Sequence, residues 1–512
     1  MPILVKEVVT TAARRAATST QGRSKGPGVS LLRESIHVVH ISAECLPFAR
    51  TGGLGEVVST LASHHSANGL SSAVVMPLYS QVAKRTDLEQ VRTNVPVSIG
   101  GRVEHINVWS VKLPAETHQT FFIDHPRFSE RSGMYGEGGE DYADNPERFA
   151  IFCMAALAIL PELAPDASIV HAHDWHAALV PVYLRTAFSS SAFHKGLTSV
   201  LSVHNAAFQS HAAPELIAAL GLPFALYDWR LLEWYGRINL LKGGLAFADA
   251  VVTVSPNHAK ELITPVGGFG LHDAFAALGD RLVGIGNGID QTVWNPTTDT
   301  ALSANYTATS LRGKRRCKTA LQRAFGLPER SKIPVIAMCA RLTAQKGIDL
   351  VLESGLSREN VQVVILGEGD ERFTYELRVR AAAAPHRIGI QTTFCERLEH
   401  VLMAGADIFL MPSRYEPCGL AQLRAQRYGA IPVANRVGGL ADTIEDGTTG
   451  FLFDEYTPAA LSNALERALT AHAQPSTWRR MMRAAMKRDF GWPRPADAYR
   501  ALYRRASETR RP

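Results

Sequence analysis

The sequence predicts an α/β fold built from two doubly wound, Rossmann-like domains. Short runs of β-branched and apolar residues alternate with longer stretches of helical periodicity, as in parallel sheets that helices cover on both faces. These runs form two series, separated near residue 330. A chain of 512 residues is also too long for one ordinary hydrophobic core. Ligands of such folds bind beyond the carboxyl ends of the strands, so the residues that follow each strand are the first candidates for a site.

The first series contains seven predicted strands and the second contains five. The first series reads SIHVVHIS, SAVVMP, QTFFID, SIVHAH, LTSVLSVHN, DAVVTVS and RLVGIG. The second series reads IPVIAMCA, VQVVILG, IGIQTTF, DIFLMPS and IPVANR. Helical stretches such as NPERFAIFCMAALAIL lie between several of them. We therefore predict a first domain over residues 36–284 and a second over residues 285–488, after a flexible extension over residues 1–35.

Composition and charge argue against several classes of protein. Lys and Arg number 54 against 48 Asp and Glu, and no basic stripe with interleaved aromatics is present, so nucleic acid is not an expected partner. The six cysteines are scattered without a CxxC pair, which predicts neither disulfides nor a zinc site. No uncharged apolar run is long enough to span a bilayer, so no membrane partner is expected.

Residues 1–35 are rich in Ala, Ser, Thr and Arg and poor in acidic residues. This composition fits an organelle transit peptide and fits a disordered bacterial extension equally well. We expect a bacterial cytoplasmic location, with the plastid stroma as the alternative.

The first strand ends in the loop ECLPFARTGGLGE, which carries Glu44, Arg50 and a cluster of glycines that includes Gly52 and Gly53. The spacing matches neither the G-x-G-x-x-G dinucleotide fingerprint nor the G-K-[ST] ending of a P-loop. Glycines allow backbone N–H groups to approach an anion at the start of a helix, and Arg50 adds a fixed positive charge. Taken alone, the loop fits either an empty strand–helix turn or an anion site.

Two further strand ends of the first series carry polar side chains. VHAHDWH, at residues 170–176, contains three histidines and Asp174, but Trp175 separates the aspartate from the last histidine, so the H-x-H-x-D-H pattern of metallo-hydrolases fails. Asp174 also fits the N-cap of a helix that starts after Trp175. SVHN places His204 and Asn205 after another strand. Several polar strand ends in one domain favour a cleft.

In the second series, the loop ARLTAQKG places Arg341 and Lys346 just after a strand, where two cations suit a diphosphate without a metal. SRYEPCGLAQL ends a strand with Glu416 and opens a helix around Gly419 and Leu420, whose N–H groups suit a phosphate. No clear D-x-D motif is present, so the sequence offers no case for divalent-metal binding of a nucleotide sugar.

ARTGGLGEV, DNPERFA, VHAHDWHA, VHNAAFQ, NGID, RLTAQKG, EPCGLAQL and GGLADTI occur here in the order found in bacterial glycogen synthases and plant starch synthases. The chain resembles this family from about residue 36 to residue 505. The resemblance implies a GT-B fold, in which two Rossmann-like domains face a deep cleft. It also implies transfer of glucose from ADP-glucose to the non-reducing end of an α-1,4-glucan such as glycogen, with retention of configuration and without a metal or other cofactor.

The resemblance also implies a role for individual residues. Arg341 and Lys346 would hold the diphosphate of the donor and stabilise the departing ADP. Glu416 would contact the glucose near its 3-hydroxyl, and His204 would approach the 6-hydroxyl and the reacting carbon. Asp174 would be the essential carboxylate. The remaining residues implied to bind the donor are Glu44, Arg50, Gly52, Gly53, Tyr135, Asn205, Gln345, Phe394, Cys418, Gly419 and Leu420. Residues 489–512 resemble the family's terminal helix, which returns to the first domain.

Several positions depart from the family's pattern. Arg50 stands where Lys is usual, Glu56 where Asp is usual, and Phe394 where a Tyr is usual. The guanidinium of Arg is planar and directs its N–H donors rigidly, whereas the ammonium of Lys is a compact charge, so the change at position 50 is not neutral. Ala421 replaces a common Thr and removes a hydroxyl from the phosphate region. These departures leave open the preference between ADP-glucose and UDP-glucose.

Two alternatives to this function stay open at the level of sequence. The first is a related glycosyltransferase that uses UDP-glucose or another acceptor, as in sucrose- or trehalose-type synthases. The second is a catalytically weak glucan-binding homologue, for which the departures at Arg50 and Phe394 are the only support. The sequence specifies neither the oligomeric state nor the preferred length of the acceptor chain.

Overall fold

The computed structural model describes residues 37–113, 117–354 and 360–510. The predicted extension over residues 1–35 therefore lies outside the described residues. The strands of the described residues, in chain order, are β1 (His37–Ile41), β2 (Ser72–Pro77), β3 (Glu89–Ile99), β4 (Arg102–Val111), β5 (Gln119–Asp124), β6 (Gly136–Glu137), β7 (Glu140–Asp141), β8 (Ala167–His173), β9 (Thr198–Val203), β10 (His211–Ala212), β11 (Glu233–Trp234), β12 (Arg237–Asn239), β13 (Ala250–Thr253), β14 (Leu282–Gly284), β15 (Val335–Cys339), β16 (Gln362–Leu366), β17 (Ile388–Gln391), β18 (Ile408–Met411), β19 (Ile431–Asn435) and β20 (Phe451–Phe453).

The helices cover both faces of the two large sheets and connect their strands. In chain order, those of the described residues are α1 (Leu54–Ala67), α2 (Ser80–Ala83), α3 (Pro126–Ser129), α4 (Asn145–Leu163), α5 (Asp174–Ala177), α6 (Leu179–Arg185), α7 (Ala192–Gly196), α8 (Leu240–Phe247), α9 (Pro256–Leu262), α10 (His272–Ala276), α11 (Arg312–Ala324), α12 (Ile348–Glu353), α13 (Glu371–Ala383), α14 (Glu396–Gly405), α15 (Ala421–Arg427), α16 (Gly438–Thr443), α17 (Pro458–His472), α18 (Pro475–Met486) and α19 (Pro493–Glu508). Short 3-10 helices cover Pro214–Leu216, Phe224–Leu226, Gly279–Arg281 and Ala344–Lys346. No helix of the described residues has the length and apolar character that crossing a membrane requires.

The first large sheet has nine strands in the order β14-β13-β9-β8-β1-β2-β5-β4-β3. All seven strands predicted for the first series are confirmed, and they pair in parallel. The antiparallel β3–β4 hairpin at the edge was not predicted. It turns at Gly100 and Gly101, both of which have a positive φ. This Gly-Gly pair is a hairpin signal, but the polar residues of the exposed β3 obscure the strand pattern around it.

The second large sheet is entirely parallel, in the order β17-β16-β15-β18-β19-β20. Renumbered from its own first strand, this is the 3-2-1-4-5-6 order of the Rossmann fold. The five strands predicted for the second series are confirmed. The sixth, β20, was missed because its three residues are too short to give a periodic signal. The α/β fold with two Rossmann-like sheets is therefore confirmed.

Each sheet has one point where the strand order reverses. In the first sheet this point lies between β1 and β8, and in the second it lies between β15 and β18. The loops that leave these four strands carry Glu44, Asp174, Arg341 and Glu416. Because ligands of doubly wound folds bind at such switch points, the topology alone selects these four loops for a site.

The last helix, α19, packs against the first sheet. Its buried side chains include Tyr499, Leu502 and Tyr503, which form one cluster with Val38 of β1 and Ile169 of β8. This contact is the one that the resemblance implied for the end of the chain. The domain boundaries at residues 284 and 488 stay predictions.

Replacement of Tyr503 by Ala tests the contact between α19 and the first sheet. The hydroxyl of Tyr503 lies 2.8 Å from Nδ1 of the buried His171, so the substitution removes a buried ring and one partner of a buried hydrogen bond. We expect the free energy of unfolding to fall by about 3–5 kcal/mol, as for other aromatic-to-alanine changes in cores. Calorimetry should show a lower Tm for this variant and an unchanged Tm for Tyr375→Ala, whose side chain is 68% exposed. Equal Tm values for the two variants would contradict the packing of α19.

Candidate active site

One large cavity, of about 1360 Å³, lies between the carboxyl ends of the two sheets. The sixteen residues that the sequence analysis selected all line it: Glu44, Arg50, Gly52, Gly53, Tyr135, Asp174, His204, Asn205, Arg341, Gln345, Lys346, Phe394, Glu416, Cys418, Gly419 and Leu420. The structure therefore brings all of them together. The role of each residue stays a prediction.

Glu44 organises the first loop from its buried position after β1. One carboxylate oxygen accepts the backbone N–H of Thr51 at 2.8 Å, and the other accepts the Thr51 hydroxyl at 2.7 Å and the Tyr135 hydroxyl at 2.8 Å. The N–H groups of Gly52 and Gly53 have no hydrogen-bond partner among the described residues. Glu44 thus holds the loop in a shape that leaves two N–H groups free for an anion.

Two contacts join this loop to the second sheet across the cavity. A Cβ atom on Gly53 would lie 3.6 Å from Cδ1 of Leu420, so the two glycine-containing loops approach each other closely. The Arg50 guanidinium lies 5.9 Å from the centre of the Phe394 ring. Arg50 and Phe394 are two of the departures from the family's pattern, and the structure shows that they face one another. An Arg above an aromatic ring is attracted to it, so the two departures form one contact.

Lys346 and Glu416 form an ion pair at the second switch point. Their side chains are 2.5 Å apart, and the Ser413 hydroxyl donates to the same oxygen of Glu416 at 2.9 Å. Lys346 lies in a short 3-10 helix, whereas Glu416 is buried after β18. The sequence indicated separate roles for these two residues and did not indicate their contact. An ammonium has three N–H donors, so the pair still leaves Lys346 two donors for a ligand.

Two glycines fix the backbone around this ion pair. Gly347 has a φ of 77°, and a Cβ there would lie 2.1 Å from the carbonyl oxygen of Pro412. Gly438 has a φ of 42°, and a Cβ there would lie 1.9 Å from the carbonyl oxygen of Glu416. Only a residue without a side chain fits at either position. The loops that carry Lys346 and Glu416 are therefore set by close backbone packing.

The expectation that Asp174 caps a helix is wrong. Helix α5 begins at Asp174 itself, which has a φ of 56°, and His173 occupies the N-cap position. The carboxylate of Asp174 instead accepts the backbone N–H of His204 at 2.6 Å and that of Asn205 at 3.4 Å. Burial raises the pKa of Asp174 to about 7, although these two hydrogen bonds oppose the shift. The strained backbone thus aims a buried carboxylate at the neighbouring strand end, as is common at functional sites.

A row of hydrogen-bonded histidines lies behind this carboxylate. Nε2 of His204 is 3.0 Å from Nδ1 of His173, and Nε2 of His173 is 3.1 Å from Nδ1 of His40. Burial lowers the pKa of His204 to about 3 and holds the pKa of the other two well below the usual range. All three rings are therefore neutral at pH 7, and each carries one N–H. Each ring is hydrogen-bonded to the next one in the row, and none of them places a positive charge beside the cavity.

His40, His171 and His173 also form the kind of group that holds metal ions, since one nitrogen from each lies within 4.8 Å of the others. Both nitrogens of His171 already have partners, the Tyr503 hydroxyl at 2.8 Å and the Ser202 hydroxyl at 2.7 Å. Both nitrogens of His173 bond to other histidines. These hydrogen bonds account for the arrangement of the three rings without an ion.

The residue that sequence reasoning missed is Arg424 of α15, which also lines the cavity. Its guanidinium bonds Glu56 of α1 at 2.5 Å and Glu399 of α14 at 2.8 Å, and it stacks on Trp294 at 4.2 Å. Arg424 follows Leu420 by one helical turn, which places it near the cavity. No sequence pattern links position 424 with position 56, so the bridge between the two halves could not be predicted.

The sequence is similar to those of known protein families and of named relatives. Residues 37–277 match the family described as the starch synthase catalytic domain, and residues 322–488 match glycosyl transferases group 1. A glycogen synthase of Anaeromyxobacter dehalogenans is 41% identical over 92% of this chain and 99% of its own length. Glycogen synthase 2 of Geobacter sulfurreducens is 40% identical over 93% of this chain and 99% of its own length. The chain belongs to the glycogen and starch synthase family.

Solved structures agree with this membership and with the fold. The catalytic domain of starch synthase IV from Arabidopsis thaliana, bound to ADP and acarbose, is 31% identical and covers 93% of this chain and all of that one, with a TM-score of 0.84. A sucrose-phosphate synthase from Thermosynechococcus elongatus, 18% identical over 92% of this chain and 98% of that one, shares the fold with a TM-score of 0.59. The predicted GT-B fold is thereby confirmed, and the chain is a glucosyltransferase of this family.

The neutral histidines predict how stability depends on pH. Burial lowers the pKa of His40, His65, His171, His173, His176 and His204, to about 3 for His65 and His204. The unfolded chain takes up a proton at each of these side chains below pH about 6.5, whereas the folded chain does not. The free energy of unfolding therefore falls as the pH is lowered from 6.5 towards 3, by up to about 1.4 kcal/mol per pH unit for each histidine. Burial raises the pKa of Asp174 and of Glu261, and these two groups work in the opposite direction, but the buried histidines outnumber them.

Calorimetry between pH 7 and pH 5 checks this expectation. Tm should fall as the pH is lowered, and it should fall less steeply in His65→Leu, because this variant has no imidazole at position 65 that could take up a proton on unfolding. His105→Gln, a change at an exposed histidine, is the matched control and should follow the wild-type curve. A flat Tm profile of the wild type, or identical slopes for all three proteins, would contradict the account.

Proposed function

We propose that the protein transfers glucose from ADP-glucose to the non-reducing end of an α-1,4-glucan, releases ADP and retains the anomeric configuration. The observation that carries the proposal is the convergence of loops from both sheets on one cavity, which joins an anion site to two carboxylates and a histidine. The relatives at about 40% identity are named glycogen synthases and are bacterial, so glycogen in a bacterial cytoplasm is the proposed acceptor and setting.

The anion site would hold the diphosphate of the donor. Arg341 is exposed to the cavity, and Lys346 keeps two N–H donors beyond its bond to Glu416. The N–H groups of Gly419 and Leu420 have no partner among the described residues, as is also the case in the first loop. Fixed cations and oriented N–H groups stabilise the charge that develops on a departing diphosphate, so the protein's own groups would serve as the electrostatic catalyst.

The two carboxylates, Glu416 and Asp174, would act on the glucose of the donor. A retaining transfer passes through a centre with positive character at C1, which a nearby carboxylate stabilises. Glu416 would contact the glucose while Lys346 and Ser413 hold its position. Asp174 would act chiefly through His204, because its carboxylate fixes the backbone N–H of that residue. His204 would then approach the donor sugar with the nitrogen that does not bond to His173.

The chemical step we propose takes place on one face of the sugar. The bond between C1 and the phosphate oxygen breaks, and a bond between C1 and the acceptor's 4-oxygen forms on the same face. The proton of the acceptor hydroxyl passes to a phosphate oxygen of the departing ADP. Closure of the cleft would exclude water, which otherwise competes with the acceptor for C1.

A transfer assay tests the donor and the reaction together. Purified protein is incubated with glycogen, EDTA and either ADP-[14C]glucose or UDP-[14C]glucose, and label in the precipitated polymer is counted. We expect incorporation from ADP-glucose that EDTA does not reduce. Absence of label from both donors would refute the proposed enzyme, and strict dependence on UDP-glucose or on a divalent metal would refute the donor and mechanism proposed here.

The same assay tests the assignment of the ion pair. Glu416→Ala or Lys346→Ala should lower kcat by roughly 100-fold or more, the usual effect of removing one group that stabilises charge in the transition state. Glu371→Ala and Lys332→Ala change exposed residues of the same half of the chain and should keep the wild-type rate. Circular dichroism establishes that each variant is folded. Wild-type kcat in folded Glu416→Ala and Lys346→Ala would refute the assignment.

Arg50 offers a separate test of the first loop. If its charge contributes to diphosphate binding, Arg50→Met should raise KM for ADP-glucose by about tenfold, the scale of one lost charge-assisted hydrogen bond. Arg50→Lys keeps the charge and should change KM by no more than about threefold. Arg480→Met, at an exposed position of α18, is the matched control. An unchanged KM in Arg50→Met would refute a role of Arg50 in binding the donor. A lower KM in Arg50→Lys would show that Arg at this position binds ADP-glucose less well than the usual Lys.

A further inference from the structure

Exposed aromatic side chains are concentrated in one segment of the first half. Among the described residues, six aromatic side chains are exposed, and four of them lie between positions 208 and 235: Phe208, Phe224, Trp229 and Tyr235. Trp229 is 72% exposed and Tyr235 is 83% exposed. Exposed aromatic rings are candidates for a binding surface where they lie together on one face of a protein.

Tyr235 sits at the tip of the β11–β12 hairpin in an unfavourable conformation. The turn consists of Tyr235 and Gly236, with φ values of 46° and 78°. Two-residue turns with positive φ at both positions favour Asn-Gly or Asp-Gly, and a bulky side chain at the first position is strained. Stability alone does not select a tyrosine here, so the exposed ring is more simply explained by what it contacts outside the protein.

The hairpin below Tyr235 is held rigidly. The Trp234 ring packs edge-on against Tyr235 at 4.9 Å, and its Nε1–H donates to the carbonyl of Gly270 at 3.0 Å. The N–H of Gly236 donates to the Glu233 carboxylate at 2.8 Å. The ring at the tip is therefore presented on a fixed support rather than on a mobile loop.

The hairpin is continuous with the cavity of the proposed active site. The Trp234 ring lies tilted against the His211 ring, with the ring centres 4.6 Å apart, and Arg237 lies opposite Trp234 in the hairpin register. His211, Arg237 and Phe208 all line the cavity. A chain that leaves the cavity on this side would pass over Trp234 and reach Tyr235.

Lys242 joins the other exposed ring to the hairpin. Its ammonium donates to the backbone carbonyls of Trp229 and Glu233, so the backbone at Trp229 lies beside the base of the hairpin. The Arg230 guanidinium lies 5.8 Å from the Trp229 ring. The surface thus pairs flat apolar rings with N–H donors, which matches a pyranose chain with apolar ring faces and hydroxyl edges.

We propose that Tyr235 and Trp229 form a platform that binds the α-glucan acceptor chain beyond the cavity. This proposal deepens the proposed function and rests on it for the identity of the chain. The separated rings, each with polar groups beside it, suit a flexible polysaccharide that is bound ring by ring.

Variants of Tyr235 in the full-length protein test the platform, with glycogen as the probe. Retention in native gels that contain glycogen measures binding without catalysis. Tyr235→Ala should weaken retention by about five- to tenfold, the size of one lost aromatic stacking contact. Tyr235→Phe keeps the ring and should keep most of the retention. Tyr375→Ala removes a ring that is 68% exposed on α13 and is the matched control.

Tyr235→Asn separates a binding role from a structural role. Asn suits the positive φ of the turn, so this variant should have a higher Tm than the wild type while it loses glycogen retention. In turnover, KM for glycogen should rise at least fivefold more than KM for ADP-glucose in Tyr235→Ala. A merely structural tyrosine would instead give a lower Tm and parallel changes in both constants.

Several outcomes would overturn the platform. The first three are wild-type glycogen retention in Tyr235→Ala, an equal loss of retention in Tyr375→Ala, and no retention of the wild-type protein. The fourth is a change of oligomeric mass in Tyr235→Ala, which would identify the surface as a protein interface. Retention that depends on Tyr235 without any glucose transfer would refute the proposed function and leave the platform standing. Glucose transfer together with glycogen retention that does not depend on Tyr235 would refute the platform and leave the proposed function standing.

Discussion

One guanidinium of the second half forms ion pairs with both halves of the chain beside the cavity. Arg424 bonds Glu56 below the first glycine loop and Glu399 in the second half, and its plane stacks on Trp294. Arg424 is largely buried and carries one positive charge between two carboxylates, so loss of the guanidinium would leave both carboxylates without their cation, which is strongly destabilising. Together with the hydrogen bonds from the Gly438 N–H to Glu261 and from the Asn257 N–H to Asp442, this bridge holds the two halves at a separation at which Gly53 approaches Leu420.

Charge is distributed unevenly between the two halves of the chain that line the cavity. The second half supplies an ion pair and an exposed Arg341, while the first half supplies a buried carboxylate backed by neutral histidines. Neutral rings next to Asp174 leave its charge uncompensated, so burial raises its pKa rather than lowering it. A site that binds a diphosphate needs cations, and a centre with positive character at C1 is stabilised by a nearby carboxylate. The second half supplies the cations together with Glu416, and the first half supplies Asp174, whose carboxylate fixes the backbone N–H of His204.

The sequence predicted the strands and their ends because both are local properties. Buried parallel strands read as apolar runs, and the residues that follow β1, β8, β15 and β18 fall at the switch points by topology. Tyr135 and Phe394 lie elsewhere in the fold, and only the resemblance to the family indicated that they belong to the site. Contacts between distant positions were not predictable. Nothing in RLTAQKG or EPCGL indicates that Lys346 bonds Glu416, and nothing pairs position 56 with position 424. The N-cap expectation for Asp174 failed because a helix start was inferred without its backbone angle, and the positive φ there turns the carboxylate towards His204.

The central claim is that the diphosphate site is divided between the two halves of the chain. A crystal structure of the protein with ADP tests it most directly. We expect the diphosphate oxygens to contact Arg341, Lys346 and the N–H groups of Gly419 and Leu420 from one side, and the N–H groups of Gly52 or Gly53 from the other. A diphosphate held by the second half alone, with the first glycine loop turned away, or ADP bound outside this cavity, would contradict the account.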